Sequence, residues 1–273
     1  MKTLTHLAAV SVAIAALVQL AVAETKELTF EAQFRNELEL KLPGIGKGDQ
    51  NAQQSFQQLC LKLGAPGREA DRAVACTIIA ETFSGDLEKT ARLWLIKQLH
   101  YIGGAECVDA LAQSLDSDDE LVRDAARRAL AANGSPAANK ALLSALAEAK
   151  GPTRVGVINA LGYRADPASV DPLTAALGDQ DTAIAAAAAN ALAKIGNDQA
   201  AAALQRALVS TSDAVKANVA DACLRCAERL LAAGKRNEAI AIYTELAKPD
   251  LPKAIRLAAV RGKLEAAKSS GTP

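Results

Sequence analysis

Leucines recur along this chain with a fixed spacing of 31 residues. Three separate series share the spacing, and they are Leu99, Leu130, Leu161 and Leu192, then Leu111, Leu142, Leu173 and Leu204, and then Leu115, Leu146, Leu177 and Leu208. Chance is a poor explanation for three series with one period, even in a chain rich in leucine and alanine. A period of this length indicates stacked units of secondary structure, in which each unit buries its apolar face against its neighbours.

Each unit accommodates two helices. After Asp119, apolar residues at positions 122, 126, 129 and 130 have the spacing of one helix face. Beyond Gly134, Leu142 and Leu146 lie four residues apart and mark one face of a second helix. The sequence therefore predicts a chain of helix pairs.

Residues suited to helix ends recur with the same period. N-cap candidates at one position of the repeat are Asp119, Asp181 and Ser212. Glycines that follow the last apolar turn, where we expect a left-handed backbone, are Gly103, Gly134 and Gly196. Second helices are predicted to begin at Ser135-Pro136 and Asp166-Pro167. Pro172 lies further inside its helix and predicts a late start or a kink.

The repeat changes towards both ends of the chain. Leu230 follows Leu192 by 38 residues rather than 31, and seven extra residues are close to two helical turns, which predicts a longer helix there. Residues 249–266 predict one more helix, opened by Pro252. Upstream, the predicted elements are a charged helix at 28–40, a flexible connector at 43–48, and helices at 55–63 and 69–83 that form a degenerate first repeat.

The first 23 residues have the pattern of a signal peptide. Lys2 is followed by a nearly continuous apolar run over 7–20, and Ala21-Val22-Ala23 is a small-x-small cleavage site. A retained membrane anchor is the alternative, but the run is short for a transmembrane helix. We therefore expect an exported chain, periplasmic or secreted. The predicted organisation is a signal peptide at 1–23, an N-terminal helix and linker at 24–48, a capping repeat at 49–84, a repeat array at 85–266 and a flexible C-terminus at 267–273.

The composition agrees with helix packing and excludes some classes of partner. Hydrophobic residues make up 50% of the chain but aromatic residues only 3%, so leucine, alanine, valine and isoleucine must build the core. This favours close-packed helices over a β-sandwich. Lysine and arginine together number 31, as do aspartate and glutamate, so the charge balance indicates no nucleic-acid partner. We expect no stable membrane insertion after signal cleavage.

The repeat unit resembles the HEAT repeat, and its length resembles the short variety shared with phycobilisome lyases. The segments that carry the resemblance are Leu121-Val122-Arg123, Ala129-Leu130, Val170-Asp171-Pro172-Leu173 and Ala176-Leu177. The resemblance covers residues 85–248 well, and 218–248 also resembles a tetratricopeptide unit. It implies an all-α fold, a right-handed α-α superhelix of about five to six helix pairs.

A basic residue also recurs at one position of the repeat. The column contains Arg92, Arg123, Arg154 and Lys216, is interrupted by Ala185, and is extended by Arg256. One interpretation is a stripe that binds anions. We favour the other interpretation, in which each cation bonds to loop acids such as Asp118 or Asp119, because HEAT repeats carry a structural arginine at this position.

The cysteines do not predict a metal or haem site. Cys223 and Cys226 form a C-x-x-C pair, but Ala227 stands where a c-type haem site needs histidine, and a second ligand pair for zinc is missing. Cys60 and Cys76 lie on adjacent predicted helices, so they either form a disulfide or behave as small core residues.

Catalytic chemistry is also poorly represented. His100 lies near Cys107 in sequence, but a lone histidine at a helix end is more often structural. HEAT-repeat hydroxylases hold iron through His-Glu pairs, and the sequence contains none. We predict no catalytic residue, no cofactor and no metal.

The second helices of such a solenoid usually line its concave face. Positions that point away from the core on these helices form the predicted binding face, and its six members are Asp109, Gln113, Lys140, Ser144, Asp171 and Arg206. The alternative is an ordinary solvated face, because the aromatic and arginine anchors typical of hot spots are missing.

We predict a non-enzymatic protein-binding scaffold that acts outside the cytoplasm on an unidentified protein partner. The alternative is an accessory module of a redox or bilin-lyase-like enzyme complex.

Overall fold

The computed structural model describes residues 28–268, and the predicted signal peptide lies outside this range. Within the described range the chain forms α-helices, three short 3-10 turns and no strand. The first seven helices are α1 Phe30–Gly46, α2 Gln50–Leu63, α3 Glu69–Ser84, α4 Lys89–Ile102, α5 Val108–Gln113, α6 Glu120–Ala132 and α7 Pro136–Glu148. The remaining seven are α8 Gly151–Arg164, α9 Val170–Ala176, α10 Thr182–Ile195, α11 Asp198–Ser210, α12 Asp213–Ala232, α13 Arg236–Leu246 and α14 Lys253–Lys268.

The helices stack in two layers, as an all-α solenoid requires. In one layer α2, α4, α6, α8, α10 and α12 pack side by side in chain order, and α14 follows α12. In the other layer α3 packs on α5, α5 on α7, and α9 on α11. The helix pair α2 and α3 therefore stacks in the same register as the later repeats.

The leucine series form the core between these layers. The series that contains Leu99 and the series that contains Leu111 are fully buried at all eight positions. In the third series Leu146, Leu177 and Leu208 are buried, while Leu115 is only partly buried. The burial confirms the 31-residue register.

Side-chain caps begin several helices where the sequence predicts them. Asp119 accepts hydrogen bonds from the backbone N–H groups of Leu121 and Val122, and Asp181 accepts one from Ala183. Ser135 caps α7 ahead of Pro136. Ser212 occupies its N-cap position without a side-chain hydrogen bond.

At Asp166-Pro167 a 3-10 turn forms in place of the predicted α-helix start, whereas the late start predicted from Pro172 and the longer helix predicted from the insertion agree with the structure. A 3-10 turn over Pro167–Ser169 precedes α9, which starts at Val170, so Pro172 lies in the first turn of a helix that starts late. The seven-residue insertion lengthens α12 to 20 residues. The last helix, α14, begins directly after Pro252.

The predicted left-handed glycine column is only partly correct. Gly196 has a φ of 61°, but Gly103 has a φ of −59°, and Gly134 is not left-handed. A Cβ at Gly103 would lie 2.4 Å from the carbonyl oxygen of Leu99, so this glycine serves a close approach and not a left-handed turn. At the equivalent position of the intervening repeat Ala165 is left-handed, with a φ of 53°.

The predicted flexible connector at 43–48 is wrong over its first four residues. Helix α1 continues through Pro43 to Gly46 and buries the side chain of Ile45 completely. A Cβ at Gly44 would lie 2.9 Å from the Cβ of Ala52, so the missing side chain lets α1 and α2 approach. Burial of Ile45 and this close contact outweigh the poor helix propensity of proline and glycine.

The scarce aromatic residues are concentrated at the N-terminal end of the stack. The rings of Phe30, Phe34, Phe56 and Trp94 form a chain of neighbours with centroid separations of 5.8, 5.5 and 5.8 Å. The core of the later repeats consists mainly of leucine, alanine, valine and isoleucine, with Tyr243 as its buried aromatic residue among those described.

Among residues 28–268, none of the helices combines the length and the apolar character needed to cross a membrane.

Candidate interaction groove

A groove of about 930 Å³ opens between four consecutive helices, α5 to α8. Four residues of the predicted binding face line it, namely Asp109 and Gln113 from α5 and Lys140 and Ser144 from α7. Small residues form part of its lining, among them Ala112, Ala137, Ala141, Ala145 and Gly156. Short side chains leave room here for a segment of another molecule.

The two other residues of the predicted face lie outside the groove. The carboxylate of Asp171 accepts a hydrogen bond of 2.7 Å from the Nε2 of Gln199, which links α9 to α11. Arg206 is exposed on α11. All six residues of the predicted face are exposed, and the four on α5 and α7 line the same groove.

Acidic residues outnumber basic residues in the groove. Its carboxylates are Asp109, Asp116, Glu120, Asp124 and Glu148, and its cations are Arg123, Arg127 and Lys140. Five negative and three positive charges leave a net charge of −2. Arg123 donates a hydrogen bond of 2.6 Å to the carbonyl oxygen of Ser117, so its charge is directed at a loop and not into the groove.

Arg127 and Asp124 form one wall, and sequence reasoning missed both residues. Arg127 pairs with Asp124 and donates to the carbonyl oxygen of Gly156 at 3.3 Å. The guanidinium lies across α8 because Gly156 has no side chain, with Nε 3.2 Å from the place of the missing Cβ. The spacing of Asp124, Arg127 and Arg128, at i, i+3 and i+4 on one helix, could have predicted these ion pairs from the sequence.

Two neighbouring arginines stabilise the negative charge of Asp124. Burial raises the pKa of this carboxyl, but hydrogen bonds from Arg128 and Arg127 lower it, and the net pKa lies below its ordinary value. Arg128 donates its Nε to Asp124 at 2.7 Å. The wall therefore keeps its charge and its geometry at neutral pH.

The recurring basic column makes structural contacts. Arg92 donates to the carbonyl oxygen of Gly85 at 2.9 Å, and Arg123 bonds to a carbonyl in the same way. Arg154 lies 3.8 Å from Asp179, and Lys216 lies 3.1 Å from Asp250. The predicted acidic partner Asp119 binds Lys89 instead, at 2.5 Å. Loop carbonyls, which a sequence pattern does not reveal, satisfy half of these cations.

The cysteines are free and buried throughout the described chain. Cys60 and Cys76 form no disulfide, and the Sγ of Cys76 donates to the carbonyl oxygen of Ile102 at 3.3 Å. Burial raises the pKa of Cys60, Cys107 and Cys223 to about 12, so these thiols stay protonated at neutral pH. They behave as small core residues.

His100 contacts a backbone carbonyl and a neighbouring aromatic ring. Its Nδ1 lies 3.3 Å from the carbonyl oxygen of Arg128, and its ring meets Tyr101 edge-on. Cys107 donates instead to the carbonyl oxygen of Gly104, at 3.3 Å. Within residues 28–268, no three potential metal ligands of the His, Cys, Asp or Glu type cluster together.

Comparison with known proteins gives one family and several repeat structures. A family model described as HEAT repeats matches residues 78–155 and 139–225, which together make up more than half of the chain. An engineered protein is 22% identical over 79% of this chain and 98% of its own, with a TM-score of 0.40. A designed armadillo repeat protein is 19% identical over 77% of this chain and 98% of its own, with a TM-score of 0.39. No curated protein matches the chain significantly.

Proposed function

Because the chain belongs to the HEAT-repeat family, we propose that it is a non-enzymatic scaffold that binds another protein through the groove between α5 and α8. The groove carries this proposal, since it joins helices of three successive repeats into one concave surface lined by small and charged residues. Its volume of about 930 Å³ leaves room for side chains of a bound partner segment.

The absence of a catalytic role is part of the proposal. Three observations within the described residues support it: the protonated buried thiols, the backbone contact of His100 and the lack of a metal-ligand cluster. A catalytic site needs a nucleophile or base that can reach a substrate, and these groups face the core or a carbonyl.

We also propose that the protein acts outside the cytoplasm. The support is the sequence of residues 1–23, with its positive start, apolar run and A-V-A cleavage site. The 31-residue period supports the short repeat variety that phycobilisome lyases share. This likeness keeps one alternative function, an accessory module of a redox or bilin-lyase-like complex.

Site-specific crosslinking tests the groove as the binding surface. A photo-crosslinking amino acid replaces Ser144 in the groove, and the control replaces Gln58, which is exposed on α2. Expression in the native envelope should give a discrete crosslinked partner from position 144 and none from position 58.

A charge reversal in the groove gives an independent measurement. Lys140→Glu removes a cation for which the described chain shows no ion pair, and it makes the groove more acidic. Lys97→Glu on α4 is the matched exposed control. The yield of the crosslinked product from position 144 should change by at least about tenfold in the Lys140→Glu variant, and it should stay the same in the Lys97→Glu control. Equal crosslinking from both positions, or equal effects of both reversals, would contradict the proposal.

A further inference from the structure

The outer face of α14 carries an apolar stripe. Leu257, Val260 and Leu264 are 60%, 46% and 58% exposed, although they are large hydrophobic side chains. On the opposite face Ala259 and Ala266 are buried against the preceding helices. The leucines of the 31-residue series, by contrast, are buried at every position except Leu115.

The helix that carries this stripe is held firmly in place. A Cβ at Gly262 would lie 2.5 Å from the Cζ of Tyr243, so α14 rests directly on this buried ring. Tyr243 is itself almost completely buried. The inner face is therefore satisfied, and the outer face is presented as a fixed surface.

Positive charge lines both sides of the stripe. With about 100° between successive residues, Arg256 and Lys263 lie on one side of the stripe, and Arg261 and Lys268 lie on the other. Glu265 is the single acid of α14 and pairs with Arg261 at 2.9 Å. With Lys253, the helix carries five cations against one carboxylate.

We propose that α14 docks an acidic amphipathic helix of a partner protein. Leu257, Val260 and Leu264 have the 3–4 spacing of a helix–helix seam. A partner helix with the same apolar spacing would bury the stripe, and carboxylates beside its seam would face the cations on both sides of α14. This surface lies on a different element from the groove, and the inference does not depend on it.

The charge pattern argues against a second copy of this chain as the occupant. If α14 packed on α14, positive side chains would meet positive side chains in the parallel and in the antiparallel arrangement. Like charges that face one another across a seam are unfavourable.

The width of the stripe argues against a lipid surface. The three apolar side chains span only about 60° of the helix circumference. A helix that lies in a membrane interface needs a broad apolar face that sinks below the headgroups. A narrow seam between cations fits one helix better than a bilayer.

Two designed peptides test the proposal on the full chain by fluorescence anisotropy. Both have leucines at 3–4 spacing, and they differ only in glutamate or lysine at the flanking positions. We expect the glutamate peptide to bind at least about tenfold tighter than the lysine peptide, and less tightly as salt increases.

Paired variants locate the binding. Leu257→Gln with Leu264→Gln should weaken the glutamate peptide by about tenfold, whereas Leu121→Gln, a control at a leucine with 56% exposure on α6, should leave it unchanged. Lys263→Glu with Lys268→Glu leaves three cations and three carboxylates on α14 and should abolish the preference between the peptides, whereas Lys97→Glu should not. Circular dichroism verifies that each variant is folded.

Three results would overturn the proposal. One is equal affinity for the two peptides, and another is unchanged affinity in the leucine pair. The third is that the chain binds vesicles of phosphatidylserine and phosphatidylcholine, or self-associates in sedimentation, through the α14 stripe while it ignores the glutamate peptide. None of these results depends on the groove, so they do not bear on the groove proposal.

Discussion

Gly162→Ala should destabilise the protein because α8 and α10 touch at this residue. Gly162 is buried in α8, and a Cβ there would lie 2.8 Å from both the Cα and the Cβ of Ala191 in α10. Real Cβ atoms do not approach other carbon atoms so closely, and one of the two atoms belongs to the backbone. The helices must therefore separate, and the separation loosens the contacts of the buried leucines on either side.

The expected magnitude follows from two opposing effects. Overpacking in a core costs about 1–3 kcal/mol. Alanine in a helix interior is favoured over glycine by roughly 1 kcal/mol, which offsets part of the cost. Because a backbone atom is involved, we take the upper part of the overpacking range, about 2–3 kcal/mol, which leaves a net loss of about 1–2 kcal/mol, or a fall in Tm of roughly 2–8 °C for a domain of this size.

Gly156→Ala is the matched control in the same helix. The Cβ there would meet only the Arg127 side chain, with Nε at 3.2 Å and Cδ at 3.3 Å, and a flexible side chain can move. The control should therefore equal the original chain in stability or exceed it by up to about 1 kcal/mol. Thermal and urea unfolding followed by circular dichroism at 222 nm measure both variants. If Gly162→Ala is as stable as Gly156→Ala, the inferred contact between α8 and α10 is wrong.

Three further changes test other parts of the stack. Leu142→Ala should cost ~2–5 kcal/mol in urea unfolding because it opens a cavity between stacked units, while exposed Leu121→Ala stays within ~0.5 kcal/mol. Arg164→Lys should cost ~1–3 kcal/mol, since lysine cannot reproduce the guanidinium bonds to the carbonyls of residues 130, 133 and 135; an unchanged Tm would contradict this. Burial raises the pKa of Cys223 to about 12 and that of Cys226 to about 11, above the ordinary 9.0, so their contribution to stability is complete below about pH 9 and is lost as the pH rises towards 11–12. The Cys223→Ala/Cys226→Ala variant should therefore lose less Tm than the original chain between neutral pH and about pH 10.5, and equal losses would refute the link.

The periodic part of the fold is readable from the sequence. Leu130 and Leu142 make core contacts that recur in every unit, so the 31-residue spacing of the leucines is sufficient to predict that they are buried. Asp119 and Ser135 act within one turn of their own helix, and such local chemistry is visible in a short segment. The same reasoning extends to the length of α12, because an insertion of two turns keeps a helix in phase.

Features that depend on contacts between distant elements were less predictable. Helix α1 continues to Gly46 because Ile45 finds a buried site, and the local residues alone favour a break. In the groove, Asp109 and Lys140 followed from the helix phase, but the position of Arg127 depends on a glycine 29 residues away. Asp171 follows the same phase, yet it lies outside the groove, whose lining residues lie between Val108 and Asn159.

The aromatic chain at the N-terminal end has a consequence for spectroscopy. Trp94 is the only tryptophan in the sequence, and its ring contacts Phe56 on α2, which in turn contacts Phe34 on α1. Its emission therefore reports on the first helices of the stack, whereas far-ultraviolet dichroism averages over the whole chain. In a solenoid each unit contacts mainly its neighbours, so the two signals can separate during unfolding. The chain thus contains an intrinsic optical probe of one end, against which the melting of the other end can be timed.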